Sequence, residues 1–180
     1  MATKCAPHSY HWCQVALHWL VAALVATQYA TGGSIGRTHS AVAHGGKAEP
    51  LDLLLHAIHN RVGFFIFGLM LVRLAMRFLI GVPSPPYPRS DWRSRIVRAA
   101  HIGFYVILIA QASTGAIASY VFWPISAIHV AFSKVLLALI ALHASAALWH
   151  FFIARDGAMQ RMLTLRGSRA STASASRRGA

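Results

Sequence analysis

The chain has 180 residues, 56% of them apolar, and its formal charges are 17 Lys or Arg against four acids. That is little charge to cover a soluble domain of this size. The net charge of +13 would suit a nucleic acid, but the cations cluster between and after long apolar runs, without a basic-aromatic groove motif. The pattern points to a membrane protein and to no nucleic-acid partner.

Residues 1–13 read as a cytoplasmic N-terminus holding Lys4, Cys5 and Cys13, with free thiols expected in a reducing compartment. The first apolar segment runs over residues 14–31, short for a span, with Trp12 and Tyr29 suited to the two interfaces. A signal peptide is the competing reading. The n-region carries only Lys4, and the pair His18-Trp19 interrupts the apolar stretch, so the segment is kept as a helix. Further segments follow over residues 53–80, 99–123 and 126–154.

Between the second and third lies GVPSPPYPR, from Gly81 to Arg89, which cannot continue a helix and favours an extended linker. Trp123-Pro124 leaves room only for a tight turn. Residues 155–180 form a basic cytoplasmic tail, expected to be disordered from about residue 167, where it becomes Ser, Ala, Arg and Gly. No internal repeat is evident. The expected fold is all-α: a four-transmembrane-helix bundle over residues 14–154. Arg73, Arg77, the arginines of residues 89–98 and those of the tail fall on one side, against Arg37, Lys47 and Arg61 on the other. The positive-inside rule therefore makes both termini cytoplasmic in a multi-pass membrane protein.

Four histidines lie near segment ends: His18, His59, His129 and His143. Ionisable residues inside a bilayer are costly, and they usually face the bundle interior and carry function. His129 and His143 are 14 residues apart on one segment, about 21 Å of helical rise at nearly the same azimuth. Antiparallel helices put His18 and His143 at cytoplasmic depth and His59 and His129 at periplasmic depth. Two metal centres, one near each face, meet this geometry, and two b-type haems with paired imidazoles are the expected cofactors. The chain lacks a C-x-x-C-H motif, so the haems would be non-covalent. Two axial imidazoles saturate the iron and suit it to electron transfer. One turn after each histidine comes a small residue, Ala22, Gly63, Ser133 and Ala147, leaving room for a flat macrocycle. The competing readings are polar residues that bridge helices, or ligands of an ion such as zinc.

Other polar residues qualify for the surroundings. Arg73 lies 14 residues after His59, at the level of the cytoplasmic centre, and could meet a haem propionate. Arg61 could do the same on the outer side. Lys134 is costly within its segment unless it reaches water, a propionate or a quinone pocket. His101 and His150 could relay protons at a quinol site, though interfacial structural roles also suit them. His56 is the rival of His59, and His8, His11, His39 and His44 are expected to be solvated.

At these residues the sequence resembles the bacterial cytochrome b561 family, which shares a di-haem four-helix core with the cytochrome b subunits of nickel-iron hydrogenases. The likeness rests on VALHWLVAAL around His18, HNRVGFFIFGLMLVRLAMR from His59 to Arg77, AAHIGFYVILIAQASTG from Ala99 to Gly115, and ALHASAALWHFF around His143. It spans Val15 to about Leu165. The resemblance implies haem ligands at His18, His59, His129 and His143, with the spacing to Gly63 favouring His59 over His56, and a family arginine at Arg73. It also implies electron exchange with ubiquinone or menaquinone. Many members have a longer loop between helices three and four, so here the outer rim is expected to come mostly from residues 32–52.

The expected function is electron transport across the membrane between quinol or quinone and an unidentified donor or acceptor on either face. Membrane lipid surrounds the chain, and a homodimer is compatible with it. Two alternatives stand beside this reading. One is a cytochrome b anchor for a multi-subunit dehydrogenase or hydrogenase; the other is a haem-free, histidine-lined metal transporter or scaffold.

Overall fold

The computed structural model describes residues 10–81 and 91–155. Lys4, Cys5, His8, the linker prolines and Arg89, and the tail from Asp156 onward lie outside the described residues. Four long helices follow one another: α1 (Trp12–Ala43), α2 (Pro50–Leu79), α3 (Trp92–Tyr120) and α4 (Ser126–Trp149). A 3-10 turn over Trp123–Ile125 leads into α4, and a π turn over His150–Ala154 ends it. All four are long and apolar enough to cross a membrane.

Two helices exceed the spans expected from hydropathy. α1 continues twelve residues beyond Thr31, through a stretch that reads as loop because it contains Gly32, Gly33, Gly36 and Arg37. Its polar residues Thr31, Ser34 and Thr38 are buried at helical spacing. Small side chains on one face let two helix backbones approach, and α2 takes that place. The Arg37 guanidinium donates to the Asp52 carboxylate at 2.6 Å, tying the extension to the first turn of α2. α1 then stops where glycine permits it. Gly45 has φ +72°, its N–H donates to the Val42 carbonyl at 3.0 Å, and that of Gly46 donates to the Ala41 carbonyl at 2.9 Å. These paired bonds satisfy the last carbonyls through a left-handed residue. The outer rim expected from residues 32–52 is thus a helical extension and a short connection.

α3 likewise begins seven residues before Ala99. Asp91 accepts from the Arg93 backbone N–H at 2.9 Å, capping a polar first turn whose Arg95 and Arg98 are exposed. At the start of α1, His11 and Gln14 bond reciprocally to each other's backbone. Gln14 Nε2 also donates to the Gly81 carbonyl at 2.9 Å, joining the start of α1 to the end of α2.

Neighbours pack in sequence order, α1 on α2, α2 on α3 and α3 on α4. The buried core is a compact apolar cluster of Val21, Val25, Ile66, Met70, Ile107, Leu108 and Leu136. Most remaining large apolar side chains, among them Phe64, Phe65, Leu137 and Leu148, are exposed. Lipid would cover such a surface at little cost, whereas water would not.

Candidate functional site

The terminal end of the bundle holds the starts of α1 and α3 and the finishes of α2 and α4; the other end is here called the far end. At the terminal end His18 of α1 faces His143 of α4, ring centres 6.2 Å apart and planes at 65°. At the far end His59 of α2 faces His129 of α4, at 6.4 Å and 80°. Leu136, buried in the core, lies midway along α4 between His129 and His143. The apolar cluster therefore separates two histidine levels, one above the other. His56 turns elsewhere, toward His39 at 5.5 Å.

The far-end pair is held by directional bonds. His129 Nδ1 lies 2.9 Å from the Gln111 carbonyl oxygen. A carbonyl only accepts, so Nδ1 carries the proton and donates, and the Nε2 lone pair accepts from the Gln111 side-chain amide at 3.3 Å. His59 Nδ1 lies 3.1 Å from Thr31 Oγ1, and that hydroxyl already donates to the Thr27 carbonyl at 2.8 Å. The same logic makes His59 Nδ1 the donor and Nε2 the free base. Such a bond selects which nitrogen faces a metal and sets the ring plane.

The terminal-end pair has a different setting. Among the described residues neither His18 nor His143 makes a side-chain hydrogen bond; their contacts are aromatic. Trp19 stands edge-on to His18 at 5.5 Å and Phe104 to His143 at 5.2 Å. Arg73 and His101 lie close enough to His18 to act on it electrostatically. Arg73 is half-buried, and its Nη1 is buried without a hydrogen-bond partner. His101 Nδ1 donates to the Val97 carbonyl at 2.7 Å.

The remaining candidates sit at the surface. Arg61 and Lys134 are exposed and make no hydrogen bond or ion pair among the described residues. The preceding residue of α4, Ser133, accepts at its carbonyl from the Tyr29 hydroxyl at 2.6 Å, a bond between α1 and α4. His39 is exposed, as expected of a solvated residue, and stacks on Trp123 at 4.3 Å and 16°. With His56 and Asn60 it lines a hollow of about 230 Å³ at the far-end rim. The gap at Gly63 has a protein occupant: a Cβ there would stand 3.3 Å from Gln28 Nε2, which donates to the His59 carbonyl at 2.9 Å.

Two pairs of facing imidazoles, one near each end of the bundle, are the site's defining geometry. The family model for prokaryotic cytochrome b561 matches residues 9–165. This chain belongs to that family. Among its relatives, cytochrome b562 of Cereibacter sphaeroides is 28% identical over 155 residues, covering 83% of this chain and 92% of the relative. Cytochrome b561 homolog 1 of Escherichia coli K12 is 27% identical over 175 residues, covering 85% and 96%. The chain is thus a multi-pass bacterial membrane cytochrome b of electron transfer, and its family carries b-type haem.

Sequence reasoning missed the partners of the far-end pair. Gln28-x-x-Thr31-Gly32 on α1 and Gln111-x-x-Thr114-Gly115 on α3 repeat the same pattern 83 residues apart. Each lies against one histidine of that pair. The short repeat was legible in the sequence, although no longer one is.

Proposed function

We propose that this cytochrome carries two b-type haems, one held axially by His18 and His143 and the other by His59 and His129. The observation that carries the reading is the pair separation. Metal–imidazole bonds of roughly 2.0–2.1 Å place two axial ring centres about 6.3 Å apart. The two separations here, 6.2 and 6.4 Å, lie on either side of that value. The residues also fit the group chemically. Both far-end histidines have Nδ1 engaged as a donor, which keeps Nε2 unprotonated; at His129 the Gln111 amide, 3.3 Å from Nε2, would give way to the iron. The unpartnered Nη1 of Arg73 suits an anionic propionate beside the terminal-end pair. Among the described residues no three of His, Cys, Asp and Glu converge, which disfavours a closed zinc site.

The bound haem supplies a one-electron couple, and the histidines saturate it so that it exchanges electrons without binding a small ligand. The chain's own part is to hold two such centres on opposite sides of an apolar layer. With the termini cytoplasmic, as the arginine distribution favours, the two levels span the inner membrane. An electron crossing it works with or against the potential, at about 2.3 kcal/mol per 100 mV. Exchange with quinol or quinone suits the terminal end. There His101 has Nδ1 tied to a carbonyl, leaving Nε2 to take or return a proton.

A reduced-minus-oxidised visible spectrum with haem quantified per chain tests the reading. Two low-spin haems are expected, and a folded protein that stays colourless under ample porphyrin supply overturns it. Quinol oxidation by the isolated protein would favour a self-sufficient carrier over an anchor subunit.

A further inference from the structure

The two Gln-x-x-Thr-Gly segments stand on helices that carry no histidine of the far-end pair, yet each is built around one of its rings. On α1, Thr31 Oγ1 accepts from His59 Nδ1 and donates its own hydrogen bond to the Thr27 carbonyl. Gln28 Nε2 donates to the His59 backbone carbonyl, and Gly32 lies against the ring, where a Cβ would stand 3.7 Å from Cε1. On α3, Thr114 Oγ1 donates to the Ala110 carbonyl at 2.8 Å and lies 3.4 Å from His129 Nδ1. The Gln111 carbonyl takes the Nδ1 proton, and a Cβ on Gly115 would stand 2.8 Å from His129 Cε1. That last distance is a collision, so His129 can occupy its place only because residue 115 is glycine.

The two segments share residue types and placement but divide the work differently: the Nδ1 acceptor is the Thr31 hydroxyl on α1 and the Gln111 backbone carbonyl on α3, with Thr114 Oγ1 farther off at 3.4 Å. The threonine bonds back one helical turn and so presents a lone pair outward. The glycine opens a slot for the imidazole edge. The glutamine amide reaches the histidine, Gln28 at the His59 backbone carbonyl (2.9 Å) and Gln111 at His129 Nε2 (3.3 Å), and in both its Oε1 is buried without a partner.

Resting on the two-haem reading, we infer that these segments are a matched pair of histidine-positioning clamps. One on each side fixes Nδ1 as the donor and sets the plane of each axial ring of the far-end haem. The terminal-end pair has no counterpart among the described residues. The chemical consequence follows from the acceptor. An Nδ1–H bonded to an oxygen makes the imidazole a stronger electron donor through Nε2, which favours the oxidised iron. The clamps therefore lower the potential of one haem and leave the other alone.

Potentiometric titration and low-temperature EPR of the purified cytochrome test this with three variants. Thr31→Val keeps the shape and deletes the acceptor; it should raise the midpoint of one haem only, by a severalfold change in its reduction equilibrium, and move that haem's g values. Thr31→Ser restores the hydroxyl and should return both signals to the parent. Gly115→Ala should cost the far-end haem while the other keeps its spectrum. If Thr31→Val leaves both midpoints and both EPR signals unchanged, or shifts the two haems equally, the clamp is refuted whatever Gly115→Ala does. The parent protein separates the two readings: fewer than two haems per chain overturns the arrangement beneath the inference. Two haems with an indifferent Thr31→Val overturn the clamp alone.

Discussion

The two histidine pairs have nearly the same ring separation and opposite surroundings. At the far end both rings are tethered by oxygen acceptors on neighbouring helices, at 2.9 and 3.1 Å. At the terminal end the rings are bounded by Trp19 and Phe104, with Arg73 and His101 nearby. A directional bond orients a ligand and enriches its electron density. A nearby cation favours whichever state of the site carries more negative charge, which for haem is the reduced one. On the proposed two-haem arrangement, the same ligand set would give two potentials, with the terminal-end centre higher.

The largest test of that contrast removes a ligand. His143→Ala should lower the haem content from two per chain to one and leave a single midpoint, the lower of the parent's two. His59→Ala should leave the higher one. Loss of both haems, or of neither, from one replacement would contradict the pairing, and haem quantification with redox titration reads each case.

Arg73→Gln probes the cation. It should lower the midpoint of the terminal-end haem, leave the other fixed, and weaken haem retention there by roughly 1.5–3 kcal/mol if a charge-assisted bond is lost. Equal shifts in both midpoints would point to a general change in the bundle. Tyr29→Phe comes next. It deletes the 2.6 Å bond from α1 to the Ser133 carbonyl, at a cost of about 0.5–1.5 kcal/mol in stability, and should leave both spectra intact. Asp52→Asn should do least, because its partner Arg37 is 59% exposed and surface ion pairs contribute little. The expected outcome is an unchanged thermal midpoint with unchanged haem content.

Much of this was legible from residues alone, for reasons that differ by element. The four spans announce themselves because lipid demands long apolar runs. The depth of each histidine follows from counting along antiparallel helices, so the facing of His18 to His143 and of His59 to His129 needed no coordinates. The far end of α1 was illegible because glycines and polar residues read locally as loop. Packing of Thr31, Ser34 and Thr38 against α2 overrides that local preference. The start of α3 was missed for a similar reason: an arginine-rich turn looks like linker until Asp91 caps it. At Gly63, one of the small residues expected beside a macrocycle, the Gln28 amide lies 3.3 Å from where a Cβ would stand, a neighbour that only the tertiary structure reveals.

Composition and spacing by themselves determined the helical membrane class, the family likeness and the two levels of histidine, since these depend on hydropathy and on the fixed rise of a helix. Only tertiary structure decided which nitrogen each far-end imidazole presents and why Gly115 must be glycine. It also decided that Arg73 keeps a buried, unpartnered nitrogen beside the other pair. Those facts depend on which side chains meet across helices, and periodicity along a single helix carries no record of its neighbours.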